Sequence, residues 1–107
     1  MFGIGVYNIM TSKMQAKAEL ILKTAMDLSL KHGLHGWTMR QLTNIIKMPE
    51  GSIWLYVGSR DSVLDEISER VIHSFKNIND SDLLKQRLLL DCKIFKLGDK
   101  IHEKETI

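Results

Sequence analysis

Residues 49–60, with the sequence PEGSIWLYVGSR, place two large rings and several hydroxyl groups on one short segment. Ser52 and Tyr56 supply hydroxyl groups, Trp54 supplies an indole ring, and Arg60 follows with a guanidinium group. Such side chains, together with backbone amides, commonly contact the phosphates, sugars and base edges of DNA. The alternative is that both rings cover the edge of a hydrophobic core. The residue types favour contact with a nucleic acid over bond-making chemistry.

Catalysis and metal binding have no candidate residues in this sequence. The four histidines, at positions 32, 35, 73 and 102, have no carboxylate, serine or cysteine partner at a useful spacing. Cys92 is the single cysteine, which excludes an internal disulfide and a zinc-type ligand pattern. We expect a small buried thiol in a reduced, cytoplasmic protein that needs no cofactor and is not an enzyme.

Positive charge is concentrated in the first part of the chain. Residues 1–60 contain seven Lys and Arg and three acids, a net charge of +4, whereas residues 61–107 carry a net charge of −2. This asymmetry indicates a polyanionic partner for the first part, although solvated surfaces that bind nothing show similar differences. Lys13 and Lys17 are candidates for an arm that enters a minor groove, or for ordinary solvated lysines.

The apolar N-terminus, MFGIGVYNIM, is about half the ~20 residues that a membrane span requires. It also lacks the basic leader and the cleavage site of a secretory signal. We interpret residues 1–11 as a short arm and expect no membrane association.

Apolar residues recur at three- and four-residue spacing from residue 12 to residue 33, which predicts an amphipathic helix. Ser12 and Gln15 have the spacing of a capping box, and Gly33 is placed for a left-handed C-terminal cap. Thr38 and Gln41 repeat the capping-box spacing before a short apolar face formed by Leu42, Ile45 and Ile46.

Pro49 separates two short helices because it disfavours helical geometry at the preceding residue and suits a first helical turn. The second short helix is predicted over residues 49–56, with Ile53 and Val57 facing inward and Gly58 ending it. Ser59 would cap a fourth helix over residues 60–78. A last helix, rich in leucine from residue 83 to residue 97, should pack on the fourth helix or on a second subunit.

Two short helices joined by a tight turn, with a longer helix on either side, form the layout of a helix-turn-helix. We therefore expect an all-α protein in which residues 12–60 form a three-helix DNA-binding bundle. Residues 61–107 would then supply a long fourth helix and one further C-terminal helix. The helix at 49–56 would lie in the major groove of double-stranded DNA.

The stretch of about residues 18–70 resembles the N-terminal DNA-binding domain of the TetR family of bacterial transcriptional regulators. The resemblance is carried by the segment GSRDSVL and by residues at fixed spacing: Ile21, Ala25, Leu28, Gly33, Thr38, Arg40, Leu42, Gly51 and Tyr56. The segments GLHGWTMRQL and WLYV are similar to the tetracycline-repressor branch. Members of the family bind palindromic operators as dimers, usually repress transcription, and release DNA when a small molecule enters a C-terminal helical domain.

By this resemblance, Thr38 and Arg40 contact phosphates, and Tyr56 and Arg60 contact the backbone flanking the major groove. Pro49 and Gly51 belong to the helix that enters the groove. The candidates to read bases or their methyl groups are Glu50, Ser52 and Trp54. Glu50, as an acid, either faces solvent or accepts a hydrogen bond from a cytosine amino group.

The chain departs from the family at Thr43, Lys47 and Pro49, where alanine, glycine, and serine or threonine are usual. Lys47 must accept a turn conformation that glycine takes at lower cost, and Pro49 has no side chain that caps a helix. The chain after residue 76 is also too short for the family's ligand domain, so we expect no inducer pocket.

The alternative function is an interaction-only family member that pairs with a full-length relative and modulates its DNA binding. A small enzyme is the third and least supported hypothesis, because no reactive pair is visible.

Overall fold

A computed structural model of the chain describes residues 11–75 and 82–105. These residues form five α-helices and no strand, so the all-α prediction is confirmed. The helices are α1 (Ser12–His32), α2 (Met39–Ile46), α3 (Glu50–Val57), α4 (Arg60–Ser74) and α5 (Leu83–Glu105). The predicted arm lies outside the described residues except for Thr11.

Three of the helix starts are fixed by a hydroxyl group that accepts a backbone hydrogen bond. The Thr38 capping box is confirmed: Oγ1 of Thr38 accepts from the Gln41 amide at 3.2 Å, and Oε1 of Gln41 accepts from the Thr38 amide at 2.8 Å. Ser59 caps α4, as predicted. The predicted Ser12 cap is wrong by one residue, because the extended Thr11 accepts from the Met14 amide and Ser12 is already helical.

The predicted helix ends need smaller corrections. Pro49 is the N-cap of α3 in an extended conformation (ψ 149°) rather than a helical residue, so α3 begins at Glu50 and ends at Val57. Helix α4 ends at Ser74, with Phe75 as its C-cap. The predicted continuation over residues 76–78 lies outside the described residues.

Three turn residues in the described part of the chain have a positive φ: Gly33, Lys47 and Gly58. Gly33 ends α1 with a positive φ of 93°, although its ψ of 160° places it outside the left-handed helical region that we predicted. Lys47 does adopt the left-handed conformation, with φ 63° and ψ 44°, between α2 and α3. A residue with a Cβ atom is strained there, as expected from the glycine that the resembling family uses.

The core is built around α1, which packs on each of the other four helices. Its apolar stripe is buried together with stripes from α3 and α4, and Trp37 adds the largest fully buried side chain. In α2 only Leu42 is buried. Ile45 remains 57% exposed, so the predicted apolar face of this helix is buried only in part. The buried residues of α3 are Ile53 and Val57, as predicted.

Helix α5 lies along α4 and reaches the end of α1. Leu88 and Cys92 are fully buried, which confirms the predicted packing on the fourth helix. Lys96 binds Asp65 and Glu69 of α4, with both N–O distances at 2.6 Å. At the other contact, the Arg87 guanidinium donates to the backbone oxygen of Lys31 at 3.0 Å.

Candidate functional site

Helix α3 is held by one face and displays the other. Ile53 and Val57, four residues apart, have no exposed surface. Glu50 and Gly51 are exposed at the start of the helix, and Leu55 is 81% exposed near its end. Because the buried side chains of Ile53 and Val57 hold the helix against the core, their packing also sets the direction of its exposed face.

The polar and aromatic residues of α3 lie at the boundary between these faces. Ser52, Trp54 and Tyr56 are half-buried, and both rings pack partly against the core. The rings therefore do cover the edge of the core, as one of the two interpretations proposed. Their half-exposed surface leaves each able to contact a partner as well.

A groove separates α3 from the first turns of α1. We call it the α3 groove, and its lining residues are Met14, Lys17, Met48, Ser52, Leu55 and Tyr56. It combines apolar walls with two hydroxyl groups and one ammonium group, which is the chemistry that a phosphate beside a sugar or a base edge requires. From the sequence, Lys17 was a candidate for a minor-groove arm or an ordinary solvated lysine; it is an exposed residue of the regular helix α1.

Four exposed cations belong to the segments that adjoin α3: Lys13 and Lys17 in α1, Arg40 in α2, and Lys47 between α2 and α3. Lys13 and Lys17 are four residues apart, so they share one face of α1. Within residues 11–75 and 82–105, no carboxylate forms an ion pair with any of the four. These exposed side chains are accessible to an external anion.

The start of α2 carries the other predicted phosphate contacts. Arg40 is exposed in the first turn of the helix. The Thr38 hydroxyl, in contrast, is engaged by the capping box through Gln41. Thr38 therefore serves first to begin α2 and to present Arg40.

Arg60 has a structural contact that the sequence did not reveal. Its Nη2 donates to the backbone oxygen of Trp37 at 2.9 Å, and its guanidinium carbon lies 4.1 Å from the centre of the Trp37 ring. The indole nitrogen of Trp37 is buried without a hydrogen-bond partner. Arg60 thus fastens the start of α4 to the segment that precedes α2, and its half-buried side chain is only partly available to a ligand.

The site residues therefore fall into two groups. Lys17, Ser52 and Tyr56 meet at the α3 groove. Thr38 and Arg40 lie at the start of α2, with Arg60 against the neighbouring Trp37. The predicted site omitted Lys17 and the exposed Leu55. The four-residue spacing between Lys13 and Lys17 could have indicated that the two lysines share one face of a helix.

The described part of the chain contains no group of three or more His, Cys, Asp or Glu side chains that could hold a metal ion. None of its helices is both long and apolar enough to cross a membrane.

Burial raises the pKa of the Cys92 thiol, and a hydrogen bond with Ser68 lowers it by less. The thiol is therefore a buried core group, as predicted.

Comparisons of the chain with protein-family models, curated proteins and solved structures found no match.

Proposed function

We propose that this protein is a sequence-specific DNA-binding transcriptional regulator that inserts α3 into the major groove of a palindromic operator. One observation carries the proposal: the outer face of α3 adjoins a groove lined by Lys17, Ser52 and Tyr56, and Lys17 forms no ion pair with the residues that the structure describes. The TetR-like residues quoted above support the same proposal, and they favour a repressor that acts as a dimer.

The dimensions of α3 suit this role. An α-helix with its side chains is about 10–12 Å across, which fits the roughly 12 Å width of the major groove, and the eight residues of α3 present about two turns to it. Ser52 and Trp54 are then proposed to contact bases, with Glu50 either accepting from a cytosine or facing solvent. Leu55 adds an apolar surface suited to a thymine methyl group.

Phosphate contacts would come from the two groups of site residues. Lys17 and Tyr56 are proposed to bind the backbone beside α3, and Arg40 to bind it at the start of α2. Each neutralised phosphate releases condensed counterions, so binding should weaken steeply as salt increases. Backbone contacts of this kind position the protein, whereas the outer face of α3 supplies sequence preference.

The decisive experiment is a fluorescence-anisotropy titration of the purified chain with DNA from upstream of its own gene and with a random duplex. The titration is done at two salt concentrations. Tighter, salt-sensitive binding to the upstream DNA is expected. Absence of binding to both duplexes would overturn the proposal. Binding without preference would favour the interaction-only alternative, in which a full-length relative supplies specificity.

Variants separate the two proposed roles. Tyr56→Ala should weaken binding to both duplexes alike and reduce the salt dependence, because it removes a backbone contact. Ser52→Ala and Trp54→Ala should change which sequence is preferred. Equal effects of all three variants on specific and random DNA would contradict these assignments.

A further inference from the structure

Three of the glycines are required by the fold itself, but Gly51 is not. Gly33 and Gly58 have positive φ angles, which residues with a Cβ atom rarely adopt. A Cβ atom on Gly36 would overlap the backbone oxygen of His32. Gly51, in the first turn of α3, has no positive φ, and a Cβ atom there would have no neighbour within 4 Å. Its own chain therefore gives no reason for a glycine at this position.

The glycine also weakens the helix that contains it. Glycine loses more backbone freedom on folding than any other residue, so alanine is the more favourable residue in a helix. Helix α3 has only eight residues, and its N-cap Pro49 makes no side-chain hydrogen bond. A residue that disfavours its own helix without a compensating contact in the fold points to a role toward a partner.

Gly51 lies on the part of α3 that points away from the core. Successive helical residues are turned by about 100°, so Leu55 lies opposite the midpoint of the buried Ile53 and Val57. Gly51 is one turn before Leu55 and about 40° from it. Both residues are exposed. The missing side chain therefore leaves a gap on the outermost part of α3, and we call Gly51 and Leu55 together the α3 recess.

The chemistry of the α3 recess suits a base edge better than a phosphate. Gly51 and Leu55 contribute no polar side chain, and Leu55 is 81% exposed. The ammonium group of Lys17 and the hydroxyl group of Tyr56, which suit a phosphate, lie beside it in the α3 groove. In the major groove of DNA, the apolar group that a base edge displays is the 5-methyl group of thymine.

We propose that Gly51 determines sequence specificity: its missing side chain lets the edge of a base pair approach the backbone of α3, where a thymine methyl group contacts Leu55. Close approach of a backbone to a ligand is one of the uses of glycine in proteins. A side chain at residue 51 would fill the gap and hold the base edge away from Leu55. The inference rests on the proposed function and deepens it, because it names the base that the α3 recess accepts.

Gly51→Ala tests the inference, with Gly98→Ala as its matched control. Gly98 is an exposed residue inside α5, and a Cβ atom there would also have no neighbour within 4 Å. Both variants should raise the melting temperature, by up to about 5 °C, because alanine favours a helix. In the anisotropy titration, only Gly51→Ala should lose affinity for the upstream duplex, by about 10-fold or more, with a smaller loss on the random duplex.

The thymine contact is tested with an upstream duplex that carries uracil in place of thymine, since uracil lacks only the 5-methyl group. The wild type should bind the uracil duplex about 3-fold or more weakly, as expected for one lost apolar contact. Leu55→Ala should bind the two duplexes equally, because it removes the same contact from the protein side. Equal binding of both duplexes by the wild type would overturn the inference, as would a Leu55→Ala variant that prefers thymine as strongly as the wild type.

The same titrations separate this inference from the proposed function. If the wild type prefers the upstream duplex and Gly51→Ala binds it as tightly, the inference is wrong and the function stands. Equal losses of Gly51→Ala on the upstream and random duplexes would place the close approach at the DNA backbone and overturn the inference. A lower melting temperature of Gly51→Ala would show that the fold requires the glycine, with the same result. A wild type that binds neither duplex would overturn the proposed function, and the inference with it.

Discussion

Arg70 of α4 and Lys96 of α5 are paired with carboxylates of the same chain, whereas the exposed cations next to α3 form no ion pair with the described residues. Arg70 binds Glu19 and Glu66, and Lys96 binds two carboxylates of α4. Lys17 and Arg40 are exposed and form no ion pair with the described residues. The same residue types thus stabilise the fold in α4 and α5, which we call the closed region. They remain available to an external anion in α3 and the neighbouring parts of α1 and α2, which we call the open region.

Pairing with carboxylates raises the pKa of both Arg70 and Lys96. The hydrogen bond to Glu19 raises the pKa of Arg70 well above its ordinary value, despite partial burial. Burial lowers the pKa of Lys96, but hydrogen bonds to Asp65 and Glu69 outweigh this effect and raise it. Both groups therefore stay charged wherever the protein is folded at moderate pH. The two regions therefore differ in whether their cations have carboxylate partners, and substitutions can test this difference.

The largest effect should come from weakening the packing of α5 against α4. Leu88→Ala removes a fully buried side chain of α5 and should destabilise the protein by about 2–4 kcal/mol, because a cavity remains against α4. Leu90→Ala, on the exposed face of the same helix, should cost below about 0.5 kcal/mol in the monomer. Chemical denaturation measures both, and equal losses would show that α5 is not docked as described.

A smaller effect is expected at the boundary of the two regions. Arg60→Ala should destabilise the fold by roughly 1–3 kcal/mol, because the backbone oxygen of Trp37 loses its donor and the ring loses its cation. Arg40→Ala should leave stability unchanged and weaken DNA binding. Thermal unfolding and anisotropy, measured on both variants, distinguish the roles; a stable Arg60→Ala that binds DNA poorly would return Arg60 to the phosphate-binding group.

In the open region we expect losses of affinity rather than of stability. Lys17→Ala should reduce the salt slope of DNA binding by about one unit, as expected for one lost phosphate contact. Lys31→Ala is the control on the same helix, because its position is about 21 Å further along α1. If both variants reduce the slope equally, the attraction is diffuse and the α3 groove has no special part in it.

The smallest expected effect is a gain in stability. Lys47→Gly relieves a left-handed backbone conformation and should stabilise the protein by up to about 1 kcal/mol. The same substitution removes one of the unpaired cations, so DNA binding should become slightly weaker. Opposite shifts in melting temperature and affinity would show that the open region keeps this charge at the expense of stability.

Local signals made much of the fold predictable from the sequence. The Thr38 and Ser59 caps and the inward pair Ile53 and Val57 all follow from spacing of at most four residues. The unusual conformation of Lys47 was expected only because the resembling family has glycine there. The start of α1 was misplaced because Thr11 and Ser12 offer equivalent hydroxyl groups to the same turn.

Contacts between distant residues could not be predicted in this way. Arg60 meets Trp37 across 23 positions, and nothing in either local sequence indicates the pairing. Ile45 fits an apolar helical face, yet the packing of α2 leaves it exposed because Leu42 alone reaches the core. For the candidate site, the sequence identified the exposed end of α3, whereas the groove with Lys17 required the positions of two separate helices.

The attachment of α5 to the end of α1 has a consequence for how the chain folds. Arg87 and Asp91 satisfy backbone groups of Leu30, Lys31 and Leu34, contacts that span 56 or 57 positions. Contacts between such distant residues close large loops and form late in folding. We therefore expect the Leu34 amide, which donates to Asp91, to exchange its hydrogen until α5 docks, so that slow exchange at this amide marks completion of the whole domain.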